Sequence, residues 1–436
     1  PGLALLAAGG VAALAPPLFG LPLAGYGAMA LLLAGGVAVM PYAAATLLAP
    51  WPTGRAPVAI DLALQRLRGA PRGAAVALCG IVASTSLMVA MAVMVASFRG
   101  SVDAWLVQVL PSDVYLHLEG AEGGGLDPAA QARLAATPGV ATARFQRALP
   151  LQLASDRPPV QLSAQPVGPD GPLQLPILAR APVPAGATPI WVSEAMVWLY
   201  DARPGTTLDL PLGARPVRVT VAGVWRDYAR QFGAIVIADA DYDRLTGDTS
   251  RTDAAIDVTS GADPAKVGAA LTARLPPALA GQALVARPAE MRAIALRLFD
   301  RSFAITYALE IVAILIGLAG VAATFSGQTL ARRREFGMLR HLGVTRGQVL
   351  AMLASEGALL GVIGGVAGIS LGLVMARVLI DVVNPQSFHW TMDTRLPWGL
   401  LAGLFAALVV AAAGTAIVAG RRALSADAVR AVREDW

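Results

Sequence analysis

The chain has 436 residues, of which 56% are hydrophobic and 14% charged, with a formal net charge of +5. Together with a mean hydropathy of +0.60, this composition excludes an ordinary soluble globular or disordered protein. The basic excess falls in short segments between apolar blocks, so it does not imply nucleic-acid binding.

Read in chain order, apolar residues concentrate in six blocks, about 3–18, 24–48, 74–98, 303–327, 352–380 and 397–420. Most approach the roughly 20 residues that a helix needs to cross a bilayer. The first is short, and the chain opens on Pro1 with no initiator methionine, as expected of a fragment from within a longer protein. Between the second and third blocks stand Arg55, Arg66, Arg68 and Arg72 against Asp61. After the fourth come Arg332, Arg333, Arg334, Arg340 and Arg346 against Glu335, and after the sixth Arg421, Arg422, Arg430 and Arg433. The positive-inside rule places these three segments in the cytoplasm. Residues 99–302 carry 19 basic and 20 acidic side chains, a near balance that puts them on the opposite side. The expected fold is therefore a polytopic α-helical membrane protein of about six spans with one extracytoplasmic α+β domain. Cys79, the single cysteine, rules out an internal disulfide.

The segment 99–302 is too long and too patterned for a loop. Valines at 217, 219 and 221 give the period of a half-buried strand, and "GAIVIAD" (233–239) gives a second. "PIWVSEAMVWLYDARPGTTLDLPL" reads strand, short helix, turn, strand. "DPAAQARLAATPGV" and "DPAKVGAALTARL" each open on Asp-Pro, an N-cap followed by proline at the first helical position. Little here points to catalysis. His117 is solitary in this segment, Ser193 has no neighbouring base, and no phosphate-binding loop surrounds Lys266. Asp239, Asp241, Asp243 and Asp248 begin like a calcium loop but lack its glycine and distal glutamate. No catalytic residue, metal ligand or cofactor site is assigned.

The stretch "ARRREFGMLRHLGVTRGQVLAMLASEG" (331–357) stands between two apolar blocks. On a helix, Phe336, Met338, Leu339 and Leu342 share one side, and Arg333, Arg334, Arg340 and His341 the other, with Arg332 and Glu335 breaking the pattern. Such a segment suits either a lipid-bound interfacial helix or a short helix that docks on a partner. "RRREFGMLRHLGVTRGQV" followed by "LASEGALLGVIGGVAGISLG" resembles the signature of the FtsX-like permease family, the MacB- and LolCE-type subunits of ABC transporters. The matching positions are Arg332, Glu335, Phe336, Gly337, Leu339, Arg340, Leu342, Gly343, Glu356, Gly361, Gly364, Gly365 and Gly368. "VAIDLALQRLRGAPRGAAVAL" (58–78) resembles the amphipathic entry helix of such a unit. The resemblance runs from about 55 to 436.

The resemblance implies the following layout. Two linker helices (1–50) precede an entry helix (51–73), a span (74–98), the outer domain (99–302) and a second span (303–327). A cytoplasmic coupling segment (328–351), two further spans (352–420) and a cytoplasmic tail (421–436) complete the unit. It also implies a bacterial inner-membrane permease subunit, the C-terminal part of a duplicated ten-span protein. Its partners would be an ABC ATPase dimer that binds ATP and Mg, a second permease unit in the N-terminal half or another subunit, membrane lipids, and a periplasmic adaptor. ATPase coupling would fall to Arg332, Arg333, Arg334, Glu335, Phe336, Leu339, Arg340, Leu342 and Gly343. The cargo would be a lipid, lipoprotein, peptide or hydrophobic compound, moved by mechanotransmission to the outer domain. The alternatives are a scaffold that activates a periplasmic hydrolase or sensor without transport, and a membrane-anchored hydrolase. Spaced by fours, Gly361, Gly364, Gly365, Gly368 and Gly372 form small-xxx-small repeats suited to close helix packing. Glu310 and Glu356 are intramembrane carboxylates, expected to face protein or water.

Overall fold

The structure, a computed structural model, describes residues 1–18, 20–48, 58–69, 71–120, 124–168, 171–172, 174–213, 215–331, 335–336, 338 and 343–424. Its first elements are α1 (Gly2–Ala13), α2 (Leu23–Leu48), α3 (Val58–Gly69) and α4 (Pro71–Val109). Strands β1 (Val114–Leu118), β2 (Val140–Leu151), β3 (Val160–Gln165), β4 (Ile177–Arg180) and β5 (Thr188–Ser193) follow, with α5 (Pro128–Ala135) after β1. Next come α6 (Glu194–Tyr200), β6 (Thr207–Leu210), β7 (Val217–Trp225), β8 (Ala234–Ala238), α7 (Asp239–Thr246) and β9 (Asp253–Val258). Then α8 (Pro264–Arg274), α9 (Pro277–Ala280), β10 (Ala283–Ala286) and α10 (Pro288–Ala331). The chain ends with α11 (Arg346–Val378), a π-helical turn (Leu379–Val383), α12 (Asn384–Phe388) and α13 (Trp398–Ala423). These elements form two units: a helical unit (Pro1–Phe98, Phe303–Ser387, Asp393–Trp436) and a sheet domain (Arg99–Ser302, Phe388–Met392).

Among the described residues, four helices are long and apolar enough to cross a membrane: Leu23–Ala43, Gly73–Val109, Arg346–Phe388 and Trp398–Arg422. The count differs from six in two places. The first apolar block folds as α1, only 12 residues long, because the prolines at 16 and 17 and Gly20 interrupt it. The block at 303–327 lies within α10, where several side chains, Glu310 included, are outside the described set.

Small residues set the packing of the helical unit. A Cβ on Gly35 of α2 would lie 2.8 Å from the backbone nitrogen of Leu6 in α1, so the two helices meet backbone to backbone. Within α2, Pro41 supplies no N–H to the carbonyl of Val37, four residues back. The Cys79 thiol of α4 donates to that carbonyl at 3.4 Å, replacing the missing donor. Amphipathic α3 carries Asp61 in its first turn and Arg66 and Arg68 in its last, which complements the helix dipole. Its Ala63, Leu64 and Leu67 join Leu78, Ile81, Leu353, Leu360 and Ala412 in one core.

In the sheet domain, ten strands follow the order β10-β1-β9-β2-β3-β8-β5-β7-β4, with β6 paired to β7. Long β2 bridges two half-sheets: its first half pairs with β9 and its second with β3. One core packs α5 and α8 against β1 and β9 through Leu134, Leu271, Leu116 and Ile256. The other gathers Leu162, Ile190, Val219, Ile235 and Ile237, each fully buried side chain contributing about 1.5–3 kcal/mol. Both Asp-Pro helices start as their sequences predict. The carboxylates of Asp127 and Asp263 accept from the backbone N–H of Ala130 at 2.6 Å and Ala265 at 2.9 Å. Strand β7 departs from its half-buried reading. Val219, Val221 and Val224 face one core, while Ala222 and Trp225 face a second cluster with Trp191 and Val236. Both of its faces are covered because a separate apolar cluster packs on each side of it.

Candidate functional site

The charged stretch after α10 is fastened to its own protein. Glu335 lies 2.8 Å from Arg66 of α3, and the Arg66 guanidinium lies over the Phe336 ring, 5.1 Å from its centroid. Phe336, expected from sequence as an anchor for a partner, is 1% exposed. It belongs to the core that α3 and α11 share, with Leu64, Leu67, Val349 and Met352. In this structure it therefore holds the segment to its own protein. Among the described residues of the segment, Met338 is an outward apolar side chain, at 63% exposure. Gly343 adopts φ +91°, a left-handed conformation that ends a helix and favours glycine. Thr345 then opens α11 with a reciprocal capping box: its N–H donates to Gln348 Oε1 at 2.9 Å, and its hydroxyl accepts from the Gln348 N–H at 3.3 Å. Arg332, Arg333, Arg334, Leu339, Arg340 and Leu342 lie outside the described residues.

Glycines of α11 form two stripes. A Cβ on Gly364, Gly368 or Gly372 would stand 2.5–2.7 Å from Ile81, Thr85 or Val89 and the Ser86 carbonyl of α4. On the other side, one on Gly361 or Gly365 would approach Val409 at 3.1 Å or Phe405 at 2.9 Å of α13. Gly357, not singled out from sequence, belongs to the second stripe, 2.5 Å from the Ala412 carbonyl. It stands four residues before Gly361, the same spacing. Glu356 is buried in the helical unit, at 3% exposure.

The sheet domain's polar candidates are engaged structurally. His117 Nδ1 stands 2.7 Å from Asp253. The Ser193 hydroxyl accepts from the Ala234 N–H at 2.9 Å. Asp239, Asp241 and Asp243 lie in helix α7, with Asp241 and Asp243 paired to Arg244 and Arg251. Asp248 accepts from the N–H of Ser250 and pairs with Arg147. Partial burial pushes the Asp248 carboxyl up, but these bonds and the Arg147 charge hold it below its ordinary pKa. No group of three or more metal-ligating side chains occurs among the described residues.

Sequence reasoning missed one constellation, in the short segment between α12 and α13. Thr391 donates its N–H and its hydroxyl to the Glu194 carboxylate, at 3.2 and 2.7 Å. Its hydroxyl accepts from Arg226 at 3.1 Å, and its carbonyl from the Tyr228 hydroxyl at 3.0 Å. Phe388 and Trp390 stack beside it, with Tyr228 edge-on to Trp390. The signal was the aromatic cluster "SFHW" (387–390) between two apolar blocks.

Residues 307–428 match the family described as FtsX-like permease C-terminal. The C-terminal region is an FtsX-like permease domain. It contains α11, both glycine stripes and the segment fastened by Arg66. An uncharacterized ABC transporter permease of Mycobacterium tuberculosis is 26% identical over 356 residues, covering 78% of this chain and 41% of that protein. A second, from Methanocaldococcus jannaschii, is 29% identical over 93 residues, or 21% and 23% of the two chains. The permease YknZ of Bacillus subtilis is 32% identical over 80 residues, or 18% and 20%. The chain thus spans less than half the length of these curated relatives. Solved structures with partial likeness include the periplasmic region of MacB from Actinobacillus actinomycetemcomitans. It is 11% identical with TM-score 0.30, covering 43% of this chain and 94% of that one. The extracellular domain of YknZ from Gram-positive bacteria is 11% identical with TM-score 0.29, covering 40% and 100%. The chain thus combines an FtsX-like C-terminal region, several apolar helices of membrane-spanning length and an α+β domain.

Proposed function

We propose that this chain is a transmembrane subunit of an ABC transporter in the bacterial inner membrane, non-enzymatic itself and driven by a partner ATPase dimer that binds ATP and Mg. The observation that carries the reading is the fastened segment of the FtsX-like domain. Glu335 and Phe336 tie it to α3 and α11, while Met338 points outward. An element that must pass force from a partner into helices needs rigid attachment on one side and a free apolar contact on the other. Phe336, Glu335, Arg66 and Gly343 supply the attachment and its end. Met338, with Leu339, Leu342 and Arg332, Arg333, Arg334 and Arg340, supplies the partner-facing part. The paired stripes Gly357/Gly361/Gly365 and Gly364/Gly368/Gly372 then join α11 to α13 and α4 as one moving body. The strand-rich unit is the outer domain, and closure of the ATPase dimer shifts it against a lipid, lipoprotein, peptide or hydrophobic cargo. A second permease unit completes the two docking clefts of an ATPase pair.

The test is reconstitution of the full-length protein with its ATPase in lipid nanodiscs. Met338→Glu and Arg333→Glu/Arg340→Glu are expected to lose ATPase recovery in pull-downs, or its stimulation, while thermal unfolding stays at the wild-type temperature. Wild-type recovery and stimulation in both variants would leave the segment as a membrane anchor and remove the coupling role.

A further inference from the structure

Thr391 has every polar atom occupied. Its N–H, its hydroxyl as donor, its hydroxyl as acceptor and its carbonyl each make a bond, to the side chains of Glu194, Arg226 and Tyr228. Glu194 is 8% exposed, and Arg226 Nε stands 3.7 Å from its carboxylate, so the charges that grip Thr391 are themselves mostly buried. Bonds to ionised partners of this kind are about twice as strong as neutral ones. The neighbours lock the segment further. Tyr228 meets Trp390 and Trp105 edge-on, and the Trp105 indole donates to the Arg226 carbonyl at 3.0 Å. His389 sits at φ +64°, a left-handed conformation that a non-glycine residue keeps only where its surroundings over-determine it.

This socket is built from residues remote in sequence: α4 (Trp105), the start of α6 (Glu194) and the loop just after β7 (Arg226, Tyr228). Its occupant comes from elsewhere again. Residues 388–392 belong to the sheet domain, yet Ser387 before them and Asp393 after them belong to the helical unit. The chain therefore leaves the helical unit, plugs five residues into the sheet domain, and returns. On the way it passes through the π-helical turn Leu379–Val383, a feature common at working sites in helices.

We propose that Phe388–Met392 is a tether by which the α11–α13 hairpin pulls directly on the outer domain, a third connection beside α4 and α10, made by hydrogen bonds and ring contacts instead of continuous chain. The inference rests on the permease reading above. Glu194, Arg226 and Tyr228 are positioning residues that keep the plug seated through the transport cycle, and α11 passes its displacement to the domain through Ser387 and Asp393.

The experiment is hydrogen exchange by mass spectrometry on the full-length protein with its ATPase in nanodiscs, with and without ATP. Three proteins are compared. Wild type is expected to show ATP-dependent exchange in 99–302 with the Thr391 peptide protected in both states. Glu194→Gln/Thr391→Val removes the grip and is expected to raise exchange in 388–392 about tenfold. The third carries six-residue Gly-Ser inserts after both Ser387 and Asp393, each adding roughly 13 Å of slack. It is expected to keep the plug protected and to lose at least half of the ATP-dependent change in 99–302, with ATP turnover unaltered. An undiminished change with slack on both sides would overturn the tether alone, as would wild-type protection in the double variant. Absence of any ATP-dependent change in wild type would bring down the permease reading and the tether with it.

Discussion

Helices α11 and α10 both carry long apolar runs, yet they are used in opposite ways. Along α11, glycines on two sides bring α4 and α13 to backbone contact, and its N-terminal end is fastened through Val349 and Met352 to Phe336. The apolar half of α10 shows Ile305, Leu309, Leu315 and Ile316 outward, each at least 60% exposed. Among the described residues, it approaches α4 at Gly317 against Ser84 and at Phe303 edge-on to Phe98. Apolarity alone therefore does not decide which helix forms the core of a membrane bundle. Lipid tails are as apolar as leucine, so small residues at four-residue spacing make the difference.

The largest break in this contrast is expected at Phe336. Truncation to alanine removes a buried ring from the shared core and is expected to cost about 3–5 kcal/mol. Ile316→Ala, at an outward position of α10, should leave the unfolding temperature within error of wild type in the same detergent scan.

Overpacking sharpens the contrast next. Gly372→Val would drive a side chain into Val89 and the Ser86 carbonyl, with an expected loss of about 1–3 kcal/mol. A Cβ at Gly320 of α10 meets no atom within 4 Å, so Gly320→Ala should not destabilise the protein. Thermal unfolding of the two variants side by side reads the difference.

A smaller thermal effect is expected where α11 is fastened. Glu335 is 58% exposed on its side chain, so losing the Arg66 pair by Glu335→Gln should cost about 0–1 kcal/mol. Partner-stimulated ATP turnover should fall by more than that cost explains, because the segment loses its orientation. Equal wild-type turnover would show that Phe336 alone fixes the segment.

The smallest effect lies at His389, just after α12. Burial holds the His389 imidazole below its ordinary pKa, so on acidification the unfolded chain takes up the proton first. This contribution to stability is complete above about pH 6.5 and is lost as the pH falls from there toward the folded value. Wild type should melt progressively lower across that window, and His389→Gln should flatten that part of the profile.

Much of the architecture was legible because its determinants are local. The Asp-Pro caps at 127 and 263, the glycine ending the segment at 343, and the strand runs at 217–225 and 234–238 each announce themselves within a few residues. The glycine spacing of α11 could be read too, but not which stripe meets which helix, since that depends on Ile81, Thr85 and Phe405 in distant segments. The burial of Phe336 was illegible for the same reason. On a helical projection it belongs to an apolar side, and only the fold shows that Leu64 and Met352 already cover that side. The Thr391 socket was illegible because its four contributors come from three separate stretches that no short-range pattern joins.

The most direct measurement is site-specific photo-crosslinking from position 338, with a crosslinking residue at buried position 64 as control, in nanodiscs containing the full-length protein and its ATPase. A crosslink to the ATPase from 338, absent from 64 and altered by ATP, is the expected result. Crosslinks from 338 to lipid alone, in every nucleotide state, would contradict the coupling role assigned to this segment.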